Sequence, residues 1–317
     1  MASISRFAQP ISGSTALVGV LGDPVRHSLS PVMHNAALKE LGLDWVYLAL
    51  PTPAEHLGEV VRGLEAMDCR GLNVTLPHKQ AVAGLASELS DLAQRVGAVN
   101  TLVRQPGGGW LGTNTDVEGF LAPLRQDGAD IWRGRRAVVL GCGGSARAVV
   151  AALVELGLER IDLLARRPEA LTSFVATCLG WAPQLQPLAW ASGAGIDGGS
   201  GVDGAAALEA LEAADVVVNT TPIGMASAAA GATELSPLSA AELEVLRPGA
   251  TVYDLIYTPR PTRLLQQATA RGCRTLDGLE MLVQQGAAAL RLWSGHETVP
   301  VEAMREAALT HLAGRCP

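Results

Sequence analysis

Two hydrophobic rhythms alternate along the chain. Short unbroken apolar runs fall at 15–22 (TALVGVLG), 44–50 (DWVYLAL) and 71–76 (GLNVTL). Between them, apolar positions over 31–43 and 53–67 recur at spacings of three and four. The runs have strand length, and the intervening stretches carry the period of amphipathic helices. Two further runs, AVNTLVRQ at 98–105 and GWLGTNT at 109–115, read as a hairpin turning across Gly107–Gly109. Alternation of this kind predicts an α/β fold with a mainly parallel sheet and helices on both faces.

The pattern pauses over 116–130, and a second α/β unit begins. After two arginines, RRAVVLG at 135–141 is apolar throughout, as a strand buried on both faces requires. It leads through GCGGSA into helical spacing over 146–157. RIDLLA (160–165), DVVVNTT (215–221) and TVYDLIY (251–257) read as later strands, with PLAW (187–190) a weaker one. The low-complexity stretch SGAGIDGGSGVDGAA at 192–206 predicts an exposed connecting loop. Helical spacing returns over 278–293 and 300–312.

Composition narrows the function. At 317 residues, 48% hydrophobic and 17% charged, the chain can fill two cores. A formal net charge of −7 with no basic stripe argues against a nucleic-acid partner. The cysteines (Cys69, Cys142, Cys178, Cys273, Cys316) are scattered without a CxxC pair, and the histidines show no ligand spacing. No disulfide framework and no metal are expected, and a reducing cytoplasm is the natural location. Residues 1–14 lack the apolar core of a signal peptide, and no apolar run has membrane-crossing length, so no membrane partner is expected.

GCGGSA fits the dinucleotide fingerprint, with Gly141, Gly143 and Ala146 in its three places and Cys142, Gly144 and Ser145 between them. Its position between a buried-type strand and a helix is the context that gives the match weight. Glycines allow a tight turn and close approach to a pyrophosphate, and the helix N-terminus supplies unpaired N–H groups. An NAD site places an acid about 20 residues after the first glycine, on the ribose 2′-hydroxyl. Here that place holds Ala165, Arg166 and Arg167, and Asp162 lies at the other end of its strand. Two arginines without an acid suit a 2′-phosphate, which points to NADP.

The candidate chemistry gathers at strand ends. GLNVTLPHK brings Asn73, Thr75 and Lys79 together, and GDPVRHSLSPVMHN, GAVNTLV and GTNTDVEGF end their strands in hydroxyls, amides or one carboxylate. Lys79 and Asp116 are opposite charges on these loops and form a candidate proton-transfer pair. Ser28 and Ser30 stand at a helix start, where one is expected to cap the helix and both could receive a carboxylate. Asn73, Thr75 and Asn100 offer neutral partners for hydroxyls, so a small polyhydroxy substrate is favoured. His27 and His34 are left outside the site. Gln285, polar in an apolar helix, is either an ordinary helix residue or a reach toward the substrate.

With these motifs in their order, the chain resembles the shikimate/quinate dehydrogenase family. H-S-x-S-P-x-x-H-N, N-V-T-x-P-x-K, G-A-V-N-T, N-T-D-x-x-G, N-T-T-P-x-G-M and Y-D-x-x-Y-x-P all occur, covering nearly the whole length. The resemblance implies a substrate domain of residues 1–115 and 279–317, a Rossmann-type NADP domain of 116–278, and C-terminal helices returning to the first domain. It implies Lys79 and Asp116 as the catalytic pair, Ser28, Ser30 and Tyr257 on the substrate carboxylate, and Asn73, Thr75, Asn100 and Gln285 on ring hydroxyls. Asn219, Thr220, Thr221, Leu255 and Gly278 would border the nicotinamide half of the cofactor, with Asp91 near it. The family's Asn-Arg-Thr after the second Rossmann strand reads Ala165-Arg166-Arg167 here, so Arg166 is kept and Arg167 would compensate for the two lost contacts.

The implied activity is reversible NADPH-dependent reduction of 3-dehydroshikimate to shikimate, by a monomer or homodimer. Three rivals stand beside it: an NAD-using quinate/shikimate dehydrogenase, a non-catalytic NADP- and shikimate-binding sensor, and a methylenetetrahydrofolate dehydrogenase. Paired serines, rather than a serine and a threonine, lean toward shikimate, and an intact Lys79 and Asp116 lean toward catalysis.

Overall fold

The computed structural model describes residues 11–126, 128–190, 202–226 and 231–314. The chain forms two compact units, one of residues up to Gln94, Ala98–Thr115 and Val283 onward, the other of Arg95–Gly97 and Asp116–Leu282.

In the first unit, β1 (Ala16–Gly22) is flanked in parallel by β2 (Trp45–Pro51) and β3 (Gly71–Val74), with α1 (Ser30–Glu40) and α2 (Leu57–Ala66) as the crossovers. Downstream come β4 (Glu88–Leu89), α3 (Asp91–Val96), β5 (Thr101–Arg104) and β6 (Trp110–Thr113). The sheet order is β2-β1-β3-β5-β6-β4, and β5 runs antiparallel to both β3 and β6, as the hairpin pattern predicts. This register sets Asn73 between Val20 and Thr101, so the polar ends of three strands share one edge of the sheet. Beneath them Leu21, Val61, Leu64, Leu72, Leu102 and Trp110 fill a common core. Each such side chain contributes roughly 1.5–3 kcal/mol on burial.

The second unit opens where the sequence pattern pauses. Residues 116–125 are not a pause but a helix, α4 (Asp116–Arg125), whose Val117, Phe120, Leu121 and Leu124 are buried. Gly119 and an internal Pro123 broke the helical signal in the sequence. After it come β7 (Arg136–Leu140), α5 (Gly144–Glu155), β8 (Arg160–Ala165), α6 (Pro168–Cys178) and β9 (Leu185–Ala189). Next are α7 (Val202–Ala213), β10 (Val216–Asn219), α8 (Ala240–Glu244), β11 (Thr251–Asp254), α9 (Arg263–Ala270) and β12 (Arg274–Leu276). The expected loop at 192–206 lies outside the described residues as far as Gly201, and from Val202 it is helix. The six strands are parallel in the order β12-β11-β10-β7-β8-β9. The winding therefore reverses between β7 and β10, which is where doubly wound sheets open a ligand crevice at the carboxyl ends of their strands.

The chain ends in α10 (Gly278–Ser294), which from Val283 belongs to the first unit, and α11 (Val301–Ala313), which packs on α1. Trp293 fixes α10 against the first sheet. Its indole N–H donates to Leu102 O at 3.0 Å, and its ring fills the space where a side chain at Gly71 would stand. Gly71→Ala should therefore lower stability by about 1–3 kcal/mol, read as a lower denaturant midpoint at unchanged slope. An unchanged midpoint would mean that this contact does not hold the returning helix.

Candidate active site

The first unit builds its polar site from a pinned backbone. Thr75 N donates to Leu21 O at 2.9 Å, extending the β1–β3 ladder past Val74, and His78 N donates to Thr75 O at 2.9 Å to close the turn. The buried His78 ring donates from Nε2 to Thr52 O at 2.7 Å, and Val99 N donates to Lys79 O at 2.7 Å. Lys79 thus projects, half-buried, from a main chain fixed on both sides, and Thr75 is half-buried beside it in sequence.

Asn73 and Asn100 lie at the centre of a buried network. Asn100 Oδ1 accepts from Thr115 N at 2.7 Å and Thr101 Oγ1 at 3.0 Å, and its Nδ2 donates to Thr115 Oγ1 at 3.0 Å and Gln285 Oε1 at 3.4 Å. Asn73 Oδ1 accepts from the Tyr47 hydroxyl at 2.7 Å, while its Nδ2 donates to Thr101 Oγ1 at 3.2 Å. The structure therefore brings Asn73, Asn100 and Gln285 together, with Gln285 accepting from Asn100. Neither Ser28 nor Ser30 caps α1 by its side chain: the cap residue is Leu29, and the Ser28 hydroxyl instead accepts from Ser30 N at 3.2 Å. The capping expectation is corrected, because Leu29 occupies the cap position and the Ser28 hydroxyl meets only the N–H of Ser30, the first residue of the helix. His34 is fully buried, stacked 4.1 Å from Tyr47 with ring planes 2° apart, and burial lowers its pKa to about 3. It is a neutral core ring.

In the second unit the glycine loop sits at the reversal of the sheet. Gly141 has φ +99°, and a Cβ there would come within 2.9 Å of Thr220 Oγ1 and of Thr221 Cγ2. Only glycine allows these two loops to meet. Gly143, the cap residue of α5, makes no side-chain cap and faces open space where a Cβ would stand. Cys142, Gly144 and Ser145 are half-buried, and Ala146 is buried against the sheet. The strand β7 and helix α5 thus leave backbone N–H groups and room at the loop, which fits a dinucleotide pyrophosphate. Arg166 and Arg167 are exposed at the end of β8, and Asp162 is engaged elsewhere, taking the Arg160 guanidinium at 2.9 Å.

Asn219 is wholly buried. Its Oδ1 accepts from Thr221 N at 3.0 Å and Thr221 Oγ1 at 2.7 Å, and its Nδ2 donates to Asp254 Oδ1 at 2.9 Å. Its side chain braces the loop from within rather than lining its surface. Gly278 lies directly on the Leu255 carbonyl, where any Cβ would overlap, and its N–H donates to Ile256 O at 3.1 Å. Tyr257 is half-buried in the second unit, with its phenol pKa raised by desolvation. Asp116 is the buried first residue of α4 in that unit, and Asp91 is exposed at the start of α3 in the first. Among the described residues no three His, Cys, Asp or Glu side chains are grouped as metal ligands, and no helix is long and apolar enough to cross a membrane.

Comparison with known proteins decides the family. Residues 20–102 match the shikimate dehydrogenase substrate binding domain, and residues 278–309 match the shikimate 5′-dehydrogenase C-terminal domain. A curated relative named shikimate dehydrogenase (NADP(+)) from Thermosynechococcus vestitus is 50% identical over 304 residues, covering 95% of this chain and 98% of its own. A relative of the same name from a Synechocystis species is 48% identical, with 95% and 98% covered. The chain belongs to the shikimate dehydrogenase family. The shikimate 5-dehydrogenase of Thermus thermophilus, solved in complex with NADP(H) and shikimate, superposes with a TM-score of 0.77 at 36% identity, covering 93% of this chain and 99% of that one.

For a member of the shikimate dehydrogenase family, the residues that sequence reasoning left out are instructive. Tyr47 lies inside an apolar strand run, and Thr101, Thr115 and His78 lie within the quoted motifs without a role of their own. Their only signal was their position in runs already rich in side-chain amides. Asp254 was quoted within its motif but given no role. It is fully buried, accepts from Thr262 Oγ1 at 2.7 Å and from Asn219, and burial raises its pKa from 3.8 to about 6 against the pull of those bonds. The folded protein therefore holds a proton there that the unfolded chain releases. The stability this proton brings is fully present below about pH 4 and lost as the pH rises through about 6. Asp254→Asn, neutral throughout, should gain on the parent by about 1–1.5 kcal/mol between about pH 5 and pH 7.5, the share of the shift from 3.8 to about 6 that lies above pH 5. Thermal unfolding at the two pH values checks this, and a variant whose offset from the parent stays constant would show that Asp254 does not titrate in that window.

Proposed function

We propose that this chain catalyses the reversible NADPH-dependent reduction of 3-dehydroshikimate to shikimate, a step of chorismate and aromatic amino-acid biosynthesis, as a cytoplasmic monomer or homodimer. The observation that carries the reading is the buried amide–hydroxyl network at the strand ends of the first unit, found in a chain half identical to curated NADP-dependent shikimate dehydrogenases.

The residues divide the work as follows. Ser28 and Ser30, with Tyr257, bind the substrate carboxylate, and Asn73, Thr75, Asn100 and Gln285 bind the ring hydroxyls. Lys79 gives the proton to the oxygen that becomes the new hydroxyl and takes it back in reverse, with Asp116 as its catalytic partner. The backbone of residues 141–146 would hold the cofactor pyrophosphate, and Arg166 and Arg167 the 2′-phosphate. Thr220, Thr221, Leu255 and Gly278 would border the nicotinamide half, held in shape by Asn219, and Asp91 is assigned a minor part near the cofactor. When bound, NADPH supplies the hydride. The chain's own contribution is positioning together with one proton, since no covalent intermediate is needed.

The test is nicotinamide absorbance on mixing the protein with shikimate and NADP, then with NAD, and with quinate in place of shikimate. Turnover with shikimate and NADP should exceed every other combination, and a preference for quinate or NAD would move the chain to the rival dehydrogenase reading. Lys79→Ala should lower kcat about a thousandfold with NADP binding retained. Near-normal kcat in that variant would overturn the assignment of Lys79. Arg166→Ala should raise KM for NADP about tenfold or more while leaving KM for NAD nearly unchanged. An equal effect on both cofactors would remove the 2′-phosphate role.

A further inference from the structure

The Tyr47 phenol touches a residue of the proposed substrate site. It is fully buried in β2, and its ring is held parallel to His34 at 4.1 Å and tilted against Trp293 at 6.2 Å. Its single proton goes to Asn73 Oδ1 at 2.7 Å. Burial raises the phenol pKa well above its ordinary value, opposed by a side-chain hydrogen bond from Ser30, so the group stays a neutral hydroxyl and remains a donor.

Counting donors fixes what Asn73 can offer. Its Nδ2 protons go to Thr101 Oγ1 at 3.2 Å and Asn100 O at 3.4 Å. One lone pair of Oδ1 is taken by Tyr47, which leaves the other as the amide's unspent capacity. The Asn100 carbonyl and the Thr101 hydroxyl both favour this orientation of the amide, and the phenol proton, at 2.7 Å the shortest of the three contacts, reinforces it; a flipped Asn73 would present a donor where the network now presents an acceptor.

We propose that Tyr47 is a positioning residue for substrate specificity: its proton orders the Asn73 amide, so that the hydroxyl-reading end of the site is set by one buried side chain. This rests on the assignment of Asn73 to substrate binding. Tyr47 touches no reacting atom in this account and acts only through Asn73. A phenylalanine ring can keep both aromatic contacts, so the function of the hydroxyl is separable from the packing of the ring.

The experiment is steady-state kinetics with shikimate and NADP on the full chain, for Tyr47→Phe, Asn73→Ala, Ser30→Ala and the double variant Tyr47→Phe/Asn73→Ala. Asn73→Ala comes first: if it leaves KM for shikimate unchanged, the assignment of Asn73 fails and the proposal with it, and Ser30→Ala checks the carboxylate end of the site separately. With the Asn73→Ala KM raised, Tyr47→Phe should raise KM for shikimate about tenfold, keep kcat within about threefold, and leave KM for NADP unchanged. In the double variant the Tyr47 change should add less than about twofold to the Asn73→Ala effect, because the phenol acts through an amide that is gone. Fully multiplying effects, or a Tyr47→Phe with unchanged KM, would overturn the proposal. A Tyr47→Phe that no longer unfolds cooperatively would also overturn it, showing the hydroxyl to be structural; a ring-free control at the same site, Tyr47→Leu, should lower the melting temperature as well as raise KM, separating ring from hydroxyl.

Discussion

A buried carboxamide must find every hydrogen bond within the protein, and Asn100 carries that constraint for the first unit. With 2% of its surface exposed, it has almost no water to turn to. Its side chain binds Thr101, Thr115 and Gln285, its carbonyl accepts from Val74 N at 2.7 Å, and its N–H donates to Thr113 O at 3.1 Å. One residue thus ties together β3, β5, the end of β6 and α10. An orphaned partner would cost about 1–3 kcal/mol, so the network is held to a single arrangement. Site order in this unit is a consequence of that accounting.

The second unit meets a different constraint in a comparable way. Its sheet reverses between β7 and β10, so the loops leaving those strands must come within contact distance of one another. Gly141 accommodates Thr220 and Thr221 by having no side chain, and Gly278 accommodates the Leu255 carbonyl in the same manner. The loops then need something to stiffen them. Asn219 supplies it, holding Thr221 with one end of its amide and Asp254 with the other, while Thr262 holds the far oxygen of Asp254. A chain of buried hydrogen bonds therefore runs from the loop after β10 to the N-terminus of α9.

Much of this was legible in the sequence, and the failures have physical causes. The parallel strands read clearly because strands buried on both faces are continuous apolar runs, as in RAVVL and VVVN. Helix α4 did not, because Gly119 and Pro123 interrupt its period while tertiary burial of Phe120 and Leu124 sustains it. Helix α6 has buried positions only at Leu171, Phe174 and Cys178, with threonines and a valine between them that lower its propensity. At the site, Asn73, Asn100 and Gln285 announced themselves as amides out of place. Tyr47 did not, since a tyrosine in a strand is ordinary core, and its hydroxyl acquires meaning only when the register of β1, β2 and β3 brings it to Asn73. The serines showed the reverse: their place before Pro31 suggested a cap that the backbone at Leu29 does not use.

A site made of neutral amides and hydroxyls suits the substrate proposed for it. A polyhydroxy ring differs from its analogues by the presence or position of single hydroxyls, and a hydrophobic pocket distinguishes such pairs poorly. A hydrogen-bonded site distinguishes them well, because a missing hydroxyl leaves a buried protein group unpaired. That penalty operates only if the protein group cannot find another partner by turning. In a loose site Asn73 or Asn100 would rotate and recover the bond, and discrimination would shrink. Here nearly all their capacity is already spent on Tyr47, Thr101, Thr115 and Gln285, so each amide is fixed with little left over. Rigidity and selectivity in this unit are therefore the same property, both set by how completely the network satisfies itself.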